Sequence, residues 1–296
     1  MRKRVIFNNK GLPYLLLLPQ LVITTVFFFW PAGQAIYQST LLQDPFGLHS
    51  RFVWLENFTI VLGNPLYLNA VGNTVVFSLA VTLMSMSAAL GLAVLADRPI
   101  RFALAYKTLL MWPYAVAPAV AALLWLFVFH PSVGIIGQAL RKAGIPWDYK
   151  LNGDQAMGLI IFAAAWKQVS YNFLFFLAGL QAIPKSVLEA ASIDGASRWR
   201  QFTRITLPLL RPSLFLAFVI GIMTSFTSFD LVYVMTQGGP SHRSEILMTY
   251  IYKAAFELSR IDYAAALTVV QFVLLVTLTW LGNRLAGGDA GAVRTG

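Results

Sequence analysis

The stretch 189–208, EAASIDGASRWRQFTRITLP, decides the fold class of this chain. It is polar, and it separates two long apolar segments at about 156–181 and 207–235. A membrane-spanning helix needs about 20 mostly apolar residues, and both segments reach that length. Four more segments qualify, at about 12–39, 70–96, 105–129 and 264–283. The sequence therefore predicts an all-α polytopic membrane protein with six transmembrane helices, in which residues 1–296 form a single transmembrane domain.

The composition independently favours a membrane protein. Hydrophobic residues make up 58% of the chain and charged residues 11%, with a mean hydropathy of +0.67. Soluble domains average about 25% charged residues, so this chain cannot cover a water-facing surface. The net charge of +10 comes from basic residues in short loops, a pattern that indicates membrane topology rather than nucleic-acid binding. The absence of cysteine excludes disulfides and thiolate metal sites.

The distribution of Lys and Arg predicts the orientation. With six spans both termini share one side, and fourteen of the 22 Lys and Arg residues lie on that side, against seven on the other. Because cytoplasmic loops carry the excess of basic residues, both termini and the 189–208 stretch are predicted to be cytoplasmic. The external loops, at about 41–69, 130–155 and 237–263, are long enough to receive a partner, although disordered connections are an alternative. Within the last loop, 244–257 could form a short interfacial helix.

Local signals predict a helical elbow in the cytoplasmic loop, at about 184–208. Ser186 and Glu189 form a capping-box pattern after Pro184, so a helix is expected over about 187–194. Gly195 suits the left-handed position that ends a helix, and a second short helix is expected after Ser197. The side chains expected to face the bundle from this second helix, at a spacing of three, are Trp199, Phe202 and Ile205, and Pro208 fits the first turn of the next span.

The spacing EAA-x3-G-x9-I-x-LP resembles the cytoplasmic coupling loop, or EAA motif, of bacterial binding-protein-dependent ABC importer permeases. The resemblance implies the type I importer permease fold, a location in the bacterial inner membrane, and a coupling helix that docks on an ATPase. It also implies four kinds of partner: a second permease subunit in a heterodimer, two ATPase subunits, an external substrate-binding protein and membrane lipid. The coupling residues would be Glu189, Ala190, Ala191, Asp194, Gly195, Ile205, Leu207 and Pro208. The alternative is an ordinary amphipathic loop in which Glu189 only caps its helix.

No catalytic or cofactor site is expected in this chain. A phosphate-binding P-loop needs a Gly-Lys dipeptide, and the sequence contains none, so ATP and Mg are expected on the partner ATPase. A membrane-embedded enzyme is a weaker interpretation, because the three histidines, His49, His130 and His242, fall outside the predicted spans and no HExxH motif occurs. A stand-alone channel or secondary transporter is a third possibility, which the coupling-loop pattern disfavours.

Polar residues inside the predicted spans are candidates for a solute pathway. Lys167 lies near the middle of the fourth span, where an ionisable group is functional by default. It could attract a phosphate as a point charge, or it could pair with a carboxylate or a backbone carbonyl and hold helices together. Asp230 could reach the interface, and the hydroxyl residues could serve close packing. The pathway candidates are Lys167, Gln168, Tyr171, Asn172, Thr224, Ser225, Ser228 and Asp230.

Longer matches narrow the resemblance to the carbohydrate-uptake (maltose/glycerol-phosphate) type. LPYLL at 12–16, WPAG at 30–33, DPFG at 44–47, PYAVAPAVAA at 113–122 and WKQ at 166–168 look like the first permease subunits of sn-glycerol-3-phosphate importers. The resemblance implies glycerol-3-phosphate or a related glycerophosphodiester as solute. The final third, with FDLVYVM at 229–235 and GGP at 238–240, looks like general sugar permeases, so a neutral mono-, di- or oligosaccharide is the alternative.

Overall fold

The fold was analysed in a computed structural model, which describes residues 11–44, 49–97 and 103–292. Several residues used above lie outside these ranges. They are the basic residues of 1–10, Arg98, Arg101 and Arg294, and residues 45–47 of the DPFG stretch.

Within the described residues, four helices are long and apolar enough to cross a membrane. They are Leu12–Ser39, Pro65–Ala96, Gly153–Gln181 and Ile261–Gly282. Two bent pairs raise the number to six if each pair crosses once: Leu104–Ala115 with Pro118–Val128, bent by 102°, and Arg198–Leu209 with Arg211–Phe226, bent by 64°. The all-α membrane fold is therefore as the sequence predicts, whereas two of the spans are not straight.

One compact unit contains the described residues of 11–64 together with 251–273. In chain order its first elements are α1 (Leu12–Thr24), a π-helical turn (Thr25–Phe29), α2 (Trp30–Ser39), β1 (Leu41–Gln43), β2 (Ser50–Phe52) and α3 (Glu56–Gly63). The strands pair antiparallel, and the buried Asn57 donates to the carbonyls of Ser39 and Leu41 at 2.9 and 2.7 Å. In the most apolar part of the first span no residue is buried by the rest of the chain. That surface is therefore available to lipid or to another subunit.

The second unit contains the described residues of 65–250 and 274–292. Its elements are α4 (Pro65–Ala96), α5 (Ala103–Ala115), α6 (Pro118–Val128), α7 (Ile135–Lys142), α8 (Gly153–Gln181), α9 (Lys185–Ile193), α10 (Arg198–Gln201), a π-helical turn (Phe202–Thr206), α11 (Leu207–Leu209), α12 (Arg211–Phe226), α13 (Asp230–Thr236) and most of α14 (Leu247–Tyr252). A π-helical turn (Lys253–Glu257) belongs to the first unit, and α15 (Ile261–Ala292) begins in the first unit and ends in the second. The helical turns at 247–257 lie within the segment 244–257 for which a short helix was expected.

The core of the second unit forms where α8 packs against α4 and α12. Ala89 and Ala93 of α4 are fully buried beside Phe173 and Phe176 of α8. Alanines at such a contact let two backbones approach closely, which is the usual basis of helix association in a membrane. This packing holds α8 in the middle of the unit, where its polar residues are enclosed by neighbouring helices.

The third predicted span is not one continuous helix, as 105–129 had suggested. Helix α5 ends at Ala115, and Ala117 adopts an extended backbone with ψ 140° before Pro118 begins α6. Proline disfavours the helical conformation of the residue before it and has no N–H to continue the ladder. The break therefore leaves carbonyls of the last turn of α5 without helical partners.

The fifth predicted span, 207–235, is also wrong as a continuous helix. The long helix begins at Arg211 with Pro212 in its first turn, so Pro208 belongs to the preceding short turn α11. It ends at Phe226, and α13 starts at Asp230 after a non-helical segment. Thr224 and Thr227 direct their hydroxyls to backbone carbonyls one turn back, which competes with regular helix bonding.

Candidate functional site

The two breaks and the middle of α8 enclose a cavity of about 470 Å³, here called the central cavity. Non-helical backbone at membrane depth is tolerated only where it is buried in protein or lines a cavity, and both breaks satisfy that condition. The lining residues are Phe77, Val81, Tyr114, Pro118, Ala164, Lys167, Gln168, Tyr171, Thr224, Ser225, Thr227, Ser228, Phe229, Asp230 and Leu231. Seven of the eight predicted pathway residues are among them.

Lys167 bridges the cavity and the break in the third span. Its ammonium donates to the carbonyl of Val116 in a short hydrogen bond and to that of Pro113 at 3.4 Å. Both carbonyls lie at or just beyond the last turn of α5, at the negative end of its dipole, and that of Pro113 also accepts the backbone N–H of Val116 at 3.4 Å. In the part of the chain that the structure describes, Lys167 forms no ion pair. An ammonium has three hydrogens, so one remains for a further acceptor.

Two residues that line the same cavity have buried polar atoms without partners. The side-chain nitrogen of Gln168 and the hydroxyl of Ser225 are buried and have no hydrogen-bond partner within the described chain. Unsatisfied buried polar groups cost about 1–3 kcal/mol each, so they are expected to find a partner in the working protein. Gly221 gives Gln168 its position, because a Cβ there would lie 2.5 Å from the amide nitrogen. Both atoms are buried in this conformation, so hydroxyl groups of a solute could reach them only if the cavity wall moves.

One of the predicted pathway residues, Asn172, differs from the rest. Asn172 does not line the cavity: it is fully buried, and its amide donates to the hydroxyl of Ser85 in α4 at 3.0 Å. Asp230 lines the cavity at the start of α13 and is exposed. The sequence reasoning missed Tyr114 and Thr227, although Tyr114 follows a proline inside a span and Thr227 lies within the run TSFTS at 224–228.

Three cavities follow α8 in order. The first, of about 740 Å³, lies where α8 begins and includes Tyr149 and Lys150. The central cavity surrounds the middle of the helix. The third, of about 340 Å³, is apolar and extends to Ala178, towards the end of α8 that leads into the 184–208 loop. Tyr114 and Tyr171 line both the central and the third cavity, with parallel rings 6.5 Å apart. The central and third cavities are lined by residues of α8 from Ala164 to Ala178, which is about 21 Å of a helix of about 43 Å.

The 184–208 loop folds as a helical elbow, but one predicted detail is wrong. Helix α9 begins at Lys185 with Pro184 at its N-cap and no side-chain cap, so Ser186 does not form the expected capping box. Pro184 fixes an extended backbone with ψ 127°, which sets the start of the helix before the serine. Glu189 is therefore exposed and is not committed to capping.

Gly195 ends α9 as expected. Its φ is +76°, and the amides of Gly195 and Ala196 donate to the carbonyls of Ser192 and Ala191 at 3.1 and 3.0 Å. This pair of bonds is a Schellman motif, which requires a left-handed residue. Ser197 then accepts from the amide of Arg200 at 3.4 Å and begins α10.

The elbow presents an uncovered surface. Ile193 and Trp199 are 86% and 73% exposed, so Trp199 does not pack on the bundle as its spacing had suggested. The predicted coupling residues Glu189, Ala190, Asp194 and Gly195 are also exposed, whereas Ala191 is buried and Ile205, Leu207 and Pro208 are half-buried. The sequence did not identify Ile193 as a surface residue, because its position in α9 is equally compatible with an exposed and with a buried apolar side chain. Exposed large apolar residues next to charged ones are typical of a docking surface.

The chain belongs to the family of binding-protein-dependent transport system inner membrane components, whose pattern matches residues 5–286. It is thus a transport permease of the inner membrane, as the resemblance in the sequence implied.

Curated relatives are similar over almost the whole chain. The sn-glycerol-3-phosphate transport system permease protein UgpA of Brucella abortus is 52% identical over 278 residues, which cover 94% of this chain and 95% of that protein. The protein of the same name from Rhizobium meliloti is 51% identical with the same coverage. That from Salmonella typhimurium is 45% identical over 93% of this chain and 94% of its own.

Solved transporters share the fold. A chain of a bacterial ABC transporter involved in the import of the acidic polysaccharide alginate has a TM-score of 0.80 at 22% identity, with 93% of this chain and 94% of that chain covered. A chain of the MetNI methionine ABC transporter has a TM-score of 0.56 at 15% identity, with 79% and 98% covered. At these identities the likeness concerns the fold alone.

Proposed function

We propose that this chain forms half of the translocation pathway for glycerol-3-phosphate or a related glycerophosphodiester in a binding-protein-dependent ABC importer. The observation that carries the proposal is the central cavity, where one ammonium and several neutral donors converge in the middle of α8. The names of relatives at 45–52% identity support the same solute class.

The chemistry of the cavity suits a small phosphorylated polyol. Lys167 can donate its third hydrogen to a phosphate oxygen as a point charge, in a charge-assisted hydrogen bond. Gln168 and Ser225 have buried polar atoms without partners, which glycerol hydroxyls could satisfy when the cavity wall opens during transport. The predicted pathway residues Tyr171, Thr224, Ser228 and Asp230 complete the wall, and we do not retain Asn172 as a contact.

A neutral sugar is the second candidate, favoured by the paired rings of Tyr114 and Tyr171 on the wall. Aromatic faces and hydroxyl groups are sufficient to bind a neutral solute. The ammonium of Lys167 already donates two of its three hydrogens to backbone carbonyls, so a solute need not carry a negative charge to satisfy it. The two candidates differ in whether transport requires the charge of Lys167.

The proposed mechanism is alternating access driven by a separate ATPase. The elbow at 184–208, with Glu189 to Ala191, Asp194 and Gly195 at its turn, would transmit closure of the ATPase to the ends of α8 and α12. Ile205, Leu207 and Pro208 would connect the elbow to α12. In this proposal both termini and the elbow are cytoplasmic, and residues 1–296 act as one transmembrane domain.

The proposed complex contains a second permease subunit, two ATPase subunits and an external substrate-binding protein, with ATP and Mg on the ATPase. Uptake of labelled glycerol-3-phosphate into proteoliposomes tests it. We expect uptake to require ATP inside, the binding protein outside and the ATPase subunits, and to be blocked by vanadate. Uptake that persists without ATP would contradict the proposal and indicate a channel or a secondary transporter.

A further inference from the structure

The cavity at the beginning of α8 contains basic groups that the central pathway does not use. Its volume is about 740 Å³, and its walls include Leu123, Phe127 and Met235. His130, just after α6, and Lys150, just before α8, supply its basic side chains. Nothing in the mechanism above assigns a role to this pair.

Hydrogen-bond donors converge at this pair. The Nζ atom of Lys150 lies 3.1 Å from Nε2 of His130, and Nδ1 of the same ring accepts the backbone N–H of Ser132 at 3.2 Å. A backbone amide can only donate, so Nδ1 presents its lone pair and the hydrogen of the neutral imidazole is on Nε2. A lysine ammonium also only donates. Two donors therefore face each other at an exposed position, where one acceptor, from a ligand or from solvent, could bond to both.

We propose that His130 and Lys150 form a binding site for a phosphate-type anion, whose oxygens accept from Nε2–H and from the ammonium. Phosphate has several acceptor oxygens that can reach two donors at once, and hydrogen bonds between ionised partners are the stronger ones. A phosphorylated solute and a phospholipid headgroup offer the same chemistry. The two sources are separated by the experiment below.

The backbone around His130 is held rigidly, as a built site requires. A Cβ at Gly137 would lie 2.4 Å from the carbonyl oxygen of His130, so the chain there approaches as closely as only glycine permits. The indole of Trp147 donates to the carbonyl of Phe129 at 2.8 Å. The amide of Gln155 donates to the carbonyl of Pro146 at 2.8 Å, which fixes the segment leading to Lys150.

The neighbouring acidic group bonds to the main chain, and within the described residues it forms no ion pair with the Lys150 ammonium. The carboxylate of Asp148 accepts the backbone N–H of Lys150 at 3.0 Å, so one of its oxygens is engaged by the main chain. Burial, and to a lesser extent the charge of Asp148, raises the pKa of the Tyr149 phenol. Tyr149, which also lines this cavity, therefore remains a neutral group there at physiological pH.

The site lies in series with the central cavity. Leu126 and Thr236 line the first cavity, whereas Pro118 and Leu231, at the other ends of α6 and α13, line the central one. From the start of α8 to Lys167 the distance along the helix is about 20 Å. A phosphorylated solute that enters from the outside would meet His130 and Lys150 before Lys167. This order of contact rests on the proposed function. The proposal that the two residues bind an anion does not depend on it.

Protection of His130 from carbethoxylation tests the site in the assembled transporter. The complex is placed in nanodiscs of phosphatidylcholine and treated with diethyl pyrocarbonate, and modification of each histidine is followed by peptide mass spectrometry. We expect inorganic phosphate or glycerol-3-phosphate, against chloride of equal ionic strength, to slow modification of His130 about tenfold near saturation, because the rate follows the unoccupied fraction. His49, which is exposed and remote in sequence, is the internal control.

Variants identify the partner of the anion. Lys150→Met should remove the protection, Lys150→Arg should retain part of it, and Lys142→Met, at an exposed lysine of the same loop, should leave it unchanged. Protection by soluble phosphate in phosphatidylcholine supports a solute source, and protection only with phosphatidylglycerol supports a lipid source. No protection by either, or equal protection in Lys150→Met, would overturn the proposal. Because inorganic phosphate is the probe and no transport is measured, this result is independent of whether glycerol-3-phosphate is carried.

Discussion

Replacement of Lys167 separates two roles that the structure combines in one side chain. The ammonium satisfies the carbonyls of Val116 and Pro113 at the break between α5 and α6, and it supplies the positive charge of the central cavity. Lys167→Met removes both contributions. Lys167→Gln removes only the charge, since its amide can still donate to a carbonyl.

The structure gives the expected size of each effect. The bond to Pro113 is long, so we count one lost partner, that of Val116, at about 1–3 kcal/mol. About 1 kcal/mol corresponds to roughly 2–4 °C in Tm for chains somewhat smaller than this one, so Lys167→Met should lower the apparent Tm by several degrees. The charge contributes about 1.5–3 kcal/mol to a hydrogen bond with phosphate, so Lys167→Gln should lower uptake efficiency by about 10- to 100-fold.

The assay pairs thermal unfolding of the purified complex with initial rates of glycerol-3-phosphate uptake. We expect Lys167→Met to lose both stability and uptake, and Lys167→Gln to lose uptake while it keeps most of the stability. Lys167→Arg retains the charge and serves as the control. Wild-type Tm in Lys167→Met would refute the role at the helix break, and wild-type uptake in Lys167→Gln would refute the role of the charge.

Three further predictions concern the elbow and the helix contacts. Gly195→Ala forces a side chain into φ +76°, at a cost of about 1–2 kcal/mol, and should uncouple ATP hydrolysis from uptake; Gly144→Ala, at φ +81° in another loop, should lower Tm alone. Glu189→Arg reverses an exposed charge and should abolish uptake while membrane insertion is kept. Uptake is measured together with co-purification of the ATPase, and wild-type values of both would contradict this prediction. Asn172→Leu removes the bond to Ser85 and should lower Tm by a few degrees at unchanged KM for solute; a raised KM would return Asn172 to the pathway.

The spans and the elbow could be predicted because their signals are local. Long charge-free segments require lipid whatever the tertiary structure, and Gly195 follows a helix at a position where only a left-handed residue closes the turn. The capping box failed because Pro184 competes with Ser186 for the same helix start, and the proline restricts the backbone more strongly.

The helix breaks could not be read from hydropathy. Pro118 and the small residues at 224–228 do not interrupt the apolar segments in which they lie. Hydropathy averaged over a window therefore does not show where backbone carbonyls lose their hydrogen-bond partners. Asn172 lies outside the cavity for a related reason. It shares a helix face with Gln168, one turn earlier, but α4 packs tightly at that level, so Asn172 contacts Ser85 whereas Gln168 still reaches the cavity.

Competition during uptake tests the central claim most directly. The reconstituted complex is supplied with labelled glycerol-3-phosphate and with unlabelled maltose, trehalose or glycerophosphocholine in excess. The account predicts ATP-dependent uptake that is reduced only by the phosphorylated glycerol compound. Competition by maltose or trehalose, with none by glycerophosphocholine, would contradict the assignment of the central cavity to a phosphorylated solute and would favour a neutral sugar.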